Sequence, residues 1–119
     1  MKKALIVGLN NYPKCELECC VNDAIAIKNL IESNGDGSPN FDVVSITGSC
    51  SKGQLQTAVA KLFADDADVA LLYFSGHGAE QDGGYLVTTD FTSGSLGVRM
   101  EDILSFANNS KCKNKVIIL

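Results

Sequence analysis

"VALLYFSGHG", Val69 to Gly78, is the stretch that decides how this chain folds. Val69 to Phe74 runs apolar without alternation, the mark of a strand covered on both faces of a sheet. The run then breaks into Ser75, Gly76, His77 and Gly78, and His77 is the single histidine of the 119-residue chain. In a parallel sheet, ligands sit outside the carboxyl ends of the strands. An imidazole there titrates near neutral pH and is a candidate acid or base. The flanking glycines leave room for a second backbone or a substrate and allow unusual dihedrals. The Gly78 amide, at a tight turn, is a candidate donor to a developing oxyanion. The plainer reading of His77 is a turn histidine with a structural hydrogen bond.

Working outward, the other apolar runs fall into the same scheme. Lys3 to Leu9 and Phe41 to Thr47 read as strands, and Val116 to Leu119 begins a fourth. Between the first two, Asn22 or Asp23 is the expected cap of a helix whose stripe is Ala24, Ile25, Ile27, Leu30 and Ile31. "SNGDGSPN" (Ser33 to Asn40) closes it. Ser49 or Ser51 is expected to cap a second helix carrying Leu55, Val59, Leu62 and Phe63. After the glycines, "GYLVTTD" is expected to form a short hairpin arm or an accessory strand. Met100 to Asn109 reads as a third helix with Ile103, Leu104 and Phe106 inward. Strands alternating with helices imply an α/β fold with a mostly parallel central sheet, helices on both faces and right-handed crossovers. No repeat or linker divides residues 1–119, so one domain is expected.

Composition narrows the function. A net charge of -4 argues against a nucleic-acid binder, which shows a basic face. No apolar run is long enough to span a membrane. Met1-Lys2-Lys3 leads into "ALIVGL", too short for a secretory core and followed by no cleavage site, so a cytoplasmic location is expected. Five cysteines (Cys15, Cys19, Cys20, Cys50, Cys112) are an odd number without CxxC spacing, against both a disulfide framework and a zinc site. A nucleotide-binding or receiver-like domain is disfavoured as well. "VGLNNYP" lacks the glycine fingerprint and a Walker lysine, and "SGHG" stands where a phosphoacceptor aspartate would.

Four segments together resemble the caspase-like cysteine peptidases, above all the metacaspases and bacterial relatives. "FSGHG" is similar to their histidine motif and "KALIVGLNNY" to their first strand and its turn. "CCVNDA" (Cys19 to Ala24) resembles their "GCVNDA", with Cys19 in place of the usual glycine, and "GGYLVTTDF" resembles the segment after the histidine loop. The match runs in order over essentially the whole chain. The resemblance implies a three-layer caspase-like sandwich and a Cys/His dyad. His77 would be the general base and then general acid, with Gly78 N–H in the oxyanion hole. It also implies a pocket for a basic P1 side chain built from Cys20, Asp23 and Ser75. An aspartate suits a Lys or Arg P1 because a charge-assisted hydrogen bond compensates a partly desolvated cation. The plainer role of Asp23 is a helix cap, and of Cys20 a small buried hydrophobe.

The departure lies at the other end. In the family the fourth strand leads into an Asp-x-Cys-x-Gly type segment that carries the nucleophile. Here the sequence stops at Leu119, so residues 1–119 are expected to be the N-terminal part of the catalytic domain and inactive alone. None of the five cysteines is an evident substitute: Cys15 and Cys50 have no visible activator, Cys19 and Cys20 precede a helix whose field could activate a thiol but the resemblance implies that Cys20 lines the pocket, and Cys112 falls before the fourth strand, at the sheet edge away from His77. No cofactor is expected; calcium, which some metacaspases need, would have to use Glu80, Asp82, Asp90, Glu101 and Asp102, which lack the DxDxDG-like run of a calcium loop. The expected partners are a peptide or protein substrate, plus self-association or a C-terminal segment of the same protein at the exposed strand edge; nucleic acid and membranes are not expected. The alternative function is a catalytically inactive scaffold or signalling module of the same fold.

Overall fold

The apolar runs become the strands of one parallel sheet. In a computed structural model describing Met1–Leu119, the order is β1 (Lys2–Leu9), α1 (Cys20–Ile31), β2 (Asp42–Gly48), α2 (Lys52–Ala64) and β3 (Val69–Ser75). It continues through β4 (Gly78–Glu80), β5 (Gly84–Thr92), β6 (Ser95–Arg99), α3 (Met100–Asn108) and β7 (Asn114–Ile118). The main sheet has the order β2-β1-β3-β7, all parallel. β4, β5 and β6 form a separate antiparallel sheet, which is the expected arm enlarged by a strand that starts at Gly78.

β1 is central, and its burial follows from that. Ala4 and Ile6 face α1 on one side, while Leu5, Val7 and Leu9 join the large core under α2 and α3 on the other. β3 alternates in the same way, with Ala70, Leu72 and Phe74 buried in the large core. The arm belongs to that core through Leu86, Val87 and Val98. The result is a sheet between two helical layers, α1 alone and α2 with α3.

Three local expectations are corrected. Neither Asn22 nor Asp23 caps α1, which starts at Cys20 after an N-cap, Cys19, whose side chain makes no capping bond. Asn10, at the end of β1, does the work: its Oδ1 accepts the backbone N–H groups of Cys20 (3.1 Å) and Val21 (3.3 Å). An acceptor from a neighbouring strand satisfies the orphan donors of a first turn as well as a local one. Second, the α1 stripe is narrower than expected, because one helix crosses a twisted sheet along one line. Ala24 is buried and Ile27 and Ile31 pack beside it, but Ile25 and Leu30 are exposed. Third, α3 turns Ile103 and Ala107, spaced i, i+4, into the core and leaves Leu104 and Phe106 exposed. The α2 cap is Ser51, in a reciprocal capping box with Gln54.

Gly8 fixes how closely α1 approaches the sheet. A Cβ there would collide with the Cys20 carbonyl oxygen and lie 2.6 Å from Ala24 Cβ. Both are parts of a packed helix that cannot yield without moving. Gly8→Ala is therefore expected to destabilise the fold by about 1–3 kcal/mol, the usual cost of overpacking, read as a lower urea midpoint at unchanged slope.

Candidate active site

Three strand and helix ends meet at the carboxyl edge of the main sheet. Ser75, the last residue of β3, pairs in register with Gly8 of β1. Strand alternation puts Gly8 and Ser75 on the α1 face, and Gly8 lies against Cys20 and Ala24 of α1. The structure thus gathers Ser75 and the first turn of α1, with Cys20 and Asp23, around one corner. Cys20 and Ser75 are half-buried and Asp23 is exposed. The Asp23 N–H bonds the Cys19 carbonyl at 2.9 Å, while its carboxylate has no hydrogen-bond or ion-pair partner.

His77 follows two residues later and is held at both ends. Its ring Nε2 lies 2.7 Å from the Cys15 carbonyl oxygen. A carbonyl only accepts, so Nε2 carries the proton and the Nδ1 lone pair is left free in the neutral ring. Its backbone N–H donates to Tyr12 Oη at 3.0 Å, and Tyr12 Oη donates to the Val87 carbonyl of β5 at 2.8 Å. The Tyr12 ring also meets the imidazole edge-on, centroids 4.5 Å apart.

The two glycines flanking His77 have different tasks. A Cβ on Gly76 would run into the Tyr12 hydroxyl and lie 2.9 Å from the Phe74 ring. That side is filled by the protein itself, which corrects the expectation that both glycines clear space for a substrate. At Gly78 the nearest atom to a Cβ would be the Tyr85 carbonyl oxygen at 3.8 Å, an ordinary contact. The His77 carbonyl accepts the Val87 N–H at 3.0 Å, which makes Gly78 and Leu86 a non-hydrogen-bonded pair of the β4–β5 ladder. The Gly78 N–H therefore points away from β5, to the outer edge of β4. A cleft of about 450 Å³ opens there, lined by Ser75, Gly76, Gly78, Tyr85, Met100 and Leu119 among others. The larger groove of about 910 Å³, between β2 and α2, holds none of these residues.

Sequence reasoning overlooked Tyr12, the Cys15 carbonyl and Asn10. The first is conspicuous only as a tyrosine in a turn, "NNYPK"; a backbone carbonyl leaves no trace in side-chain identity. The cysteines separate by burial. Cys50 and Cys112 are buried and donate Sγ–H to the Ser51 and Asp65 carbonyls, and burial pushes the Cys50 thiol up to about 11. Cys15 and Cys19 are exposed, and Cys15 donates weakly to the Pro13 carbonyl at 3.4 Å. The acidic residues weighed for calcium do not converge. Asp90 accepts from Thr88 Oγ1 and the Lys52 N–H, and Glu101 pairs with Arg99. No group of three His, Cys, Asp or Glu side chains is placed to hold a metal ion. No helix is long and apolar enough to cross a membrane.

The candidate site is thus a histidine at the end of a parallel strand, held by a carbonyl and followed by an outward amide. The caspase domain matches the chain over residues 1–119, and the chain belongs to that family of cysteine peptidases. It is also 38% identical over 86 residues to metacaspase-4 of Arabidopsis thaliana. That match covers 65% of this chain and 20% of the relative, so the chain spans about a fifth of the plant protein's length.

Burial raises the Tyr12 hydroxyl to about 12, partly offset by the His77 N–H it accepts. A folded pKa above the ordinary tyrosine value of about 10 contributes stability that is whole below about pH 10. It is lost as pH rises toward about 12. Alkaline denaturation is expected to steepen over that window, and Tyr12→Phe to flatten it, read as urea midpoints along a pH series. One of the three tyrosines should ionise late in an absorbance titration.

Proposed function

We propose that this chain is the histidine-bearing part of a cysteine endopeptidase that cuts after Arg or Lys. The observation that carries the reading is the orientation of His77. With Nε2–H held by the Cys15 carbonyl, the Nδ1 lone pair is the base, beside the free Gly78 N–H. In the proposed reaction Nδ1 takes the thiol proton and the thiolate attacks the scissile carbonyl carbon. The oxyanion accepts a hydrogen bond from Gly78 N–H. The C–N bond then breaks as His77 returns the proton to the leaving amine, and water hydrolyses the thioester. Asp23, whose carboxylate has no partner of its own, receives the P1 cation, with Cys20 and Ser75 as pocket walls.

The nucleophile is proposed to come from a segment following β7, and residues 1–119 by themselves to be inactive. In support, Cys50 and Cys112 are buried, and the Cys20 carbonyl is packed against Gly8 at the pocket corner. The cytoplasm is the proposed location. In the full-length protein, His77→Ala is expected to lower kcat by about 10²-fold or more on Arg-ended fluorogenic peptides. Asp23→Asn is expected to lower kcat/KM on those peptides by about tenfold. Undiminished turnover in His77→Ala would reject the dyad, and a preference for Asp-ended peptides would reject the pocket.

A second strand-level proposal concerns β7. It pairs only with β3, and Val116 and Ile118, in register with Leu71 and Tyr73 on the α1 face, are exposed. Apolar residues on an unpaired edge invite another strand, and we propose that in the isolated 119-residue chain this strand comes from a second copy. Light scattering over a concentration series is expected to give a rising mass, reversed by Ile118→Lys; a monodisperse monomer throughout would count against it.

A further inference from the structure

We propose that Tyr12 is a positioning residue that fixes both the place of His77 and the tautomer of its imidazole. The proposal rests on the reading of His77 as the general base.

The argument starts from what Tyr12 touches. Its side chain is wholly buried, an unusual place for a phenol unless the hydroxyl is fully engaged. Here it is: Oη accepts the His77 N–H and donates to the Val87 carbonyl. Those two groups belong to the histidine loop and to β5, so one oxygen ties the loop to the arm. Gly76 leaves the hydroxyl its space, since a Cβ there would occupy the same position.

The backbone of the same residue builds the other half of the clamp. Tyr12 N–H donates to the Asn10 carbonyl at 3.0 Å, and the Tyr12 carbonyl accepts the Cys15 N–H at 3.3 Å. That turn sets where the Cys15 carbonyl points, and the carbonyl is what holds Nε2–H. Asn10 steadies the turn further, its carbonyl accepting the Leu17 N–H at 2.9 Å. The imidazole is therefore held from its ring by one end of the turn and from its main chain by the side chain at the other end. Phe at this position keeps the ring and its edge-on contact but removes the oxygen. The His77 N–H and Val87 carbonyl lose their common partner, the loop is free to shift from the turn, and Nε2 is no longer held in place against the Cys15 carbonyl.

The test uses the full-length protein, with the His77 imidazole resonances identified by their loss in His77→Ala. Wild type is expected to show the Nε2–H tautomer. Tyr12→Phe is expected to show mixed tautomers and a kcat on Arg-ended peptides about tenfold lower, with KM nearly unchanged. A variant that keeps the Nε2–H tautomer and wild-type kcat while melting earlier would make Tyr12 structural only and overturn the proposal. Should Tyr12→Phe not fold, Gly76→Ala, which keeps the hydroxyl but crowds it, is expected to give the same two changes, and their absence overturns the proposal equally. If His77→Ala itself retains turnover, the reading of His77 as base fails instead, an outcome distinct from the others.

Discussion

The hydroxyl of Tyr12 is the joint on which the rest of the site depends. Through it the turn after β1, which carries Tyr12, is tied to the histidine loop after β3 by the His77 N–H it accepts, and to the second strand of the arm by the Val87 carbonyl to which it donates. Each of those bonds is modest alone, but they converge on an oxygen from which water is excluded. There a missing partner costs more than the bond contributes. The arm adds its own ties further along. Thr89 exchanges bonds with the Cys50 backbone, and Asp90 accepts the Lys52 N–H at the start of α2. These fasten the arm to the helical layer that lies opposite α1.

The corner around Ser75 depends on a different constraint, the bareness of Gly8. Because α1 sits almost in backbone contact with β1, its first turn comes level with the last residue of β3. Asn10 then caps that turn from the strand, so helix and sheet are registered by hydrogen bonds as well as by packing. The corner around Ser75 and the place of His77 are consequently set from β1, through Gly8, and from the residues just after it, Asn10 and Tyr12.

How legible this was in the sequence follows from the kind of force involved. Strands announced themselves because burial on both faces demands unbroken apolar runs, as in Val69 to Phe74. The Ser51 cap was legible because its partner, Gln54, is local. The α1 cap was not, since the acceptor on Asn10 becomes available only when strand and helix meet. Leu104 and Phe106 looked like core because apolar identity says nothing about which side of a helix a neighbour occupies. His77 and Gly78 stood out by position, whereas Tyr12 and the Cys15 carbonyl act through a bond to a main-chain N–H and from a main-chain oxygen. Such contacts exist only once β1 and β3 lie side by side.

The central place of β1 has a consequence for synthesis. Of the strands described, the one made first is the one that must be covered on both faces, by β2 and β3 at its edges and by α1 and α2 above and below. Its strand partner β3 ends at Ser75, so "ALIVGL" stays without that partner until well over half of these residues have emerged. Non-local parallel pairing is slow and leaves apolar surface open meanwhile. During synthesis "ALIVGL" thus stays sticky for a time, and the imidazole is oriented only after that segment has been sheltered.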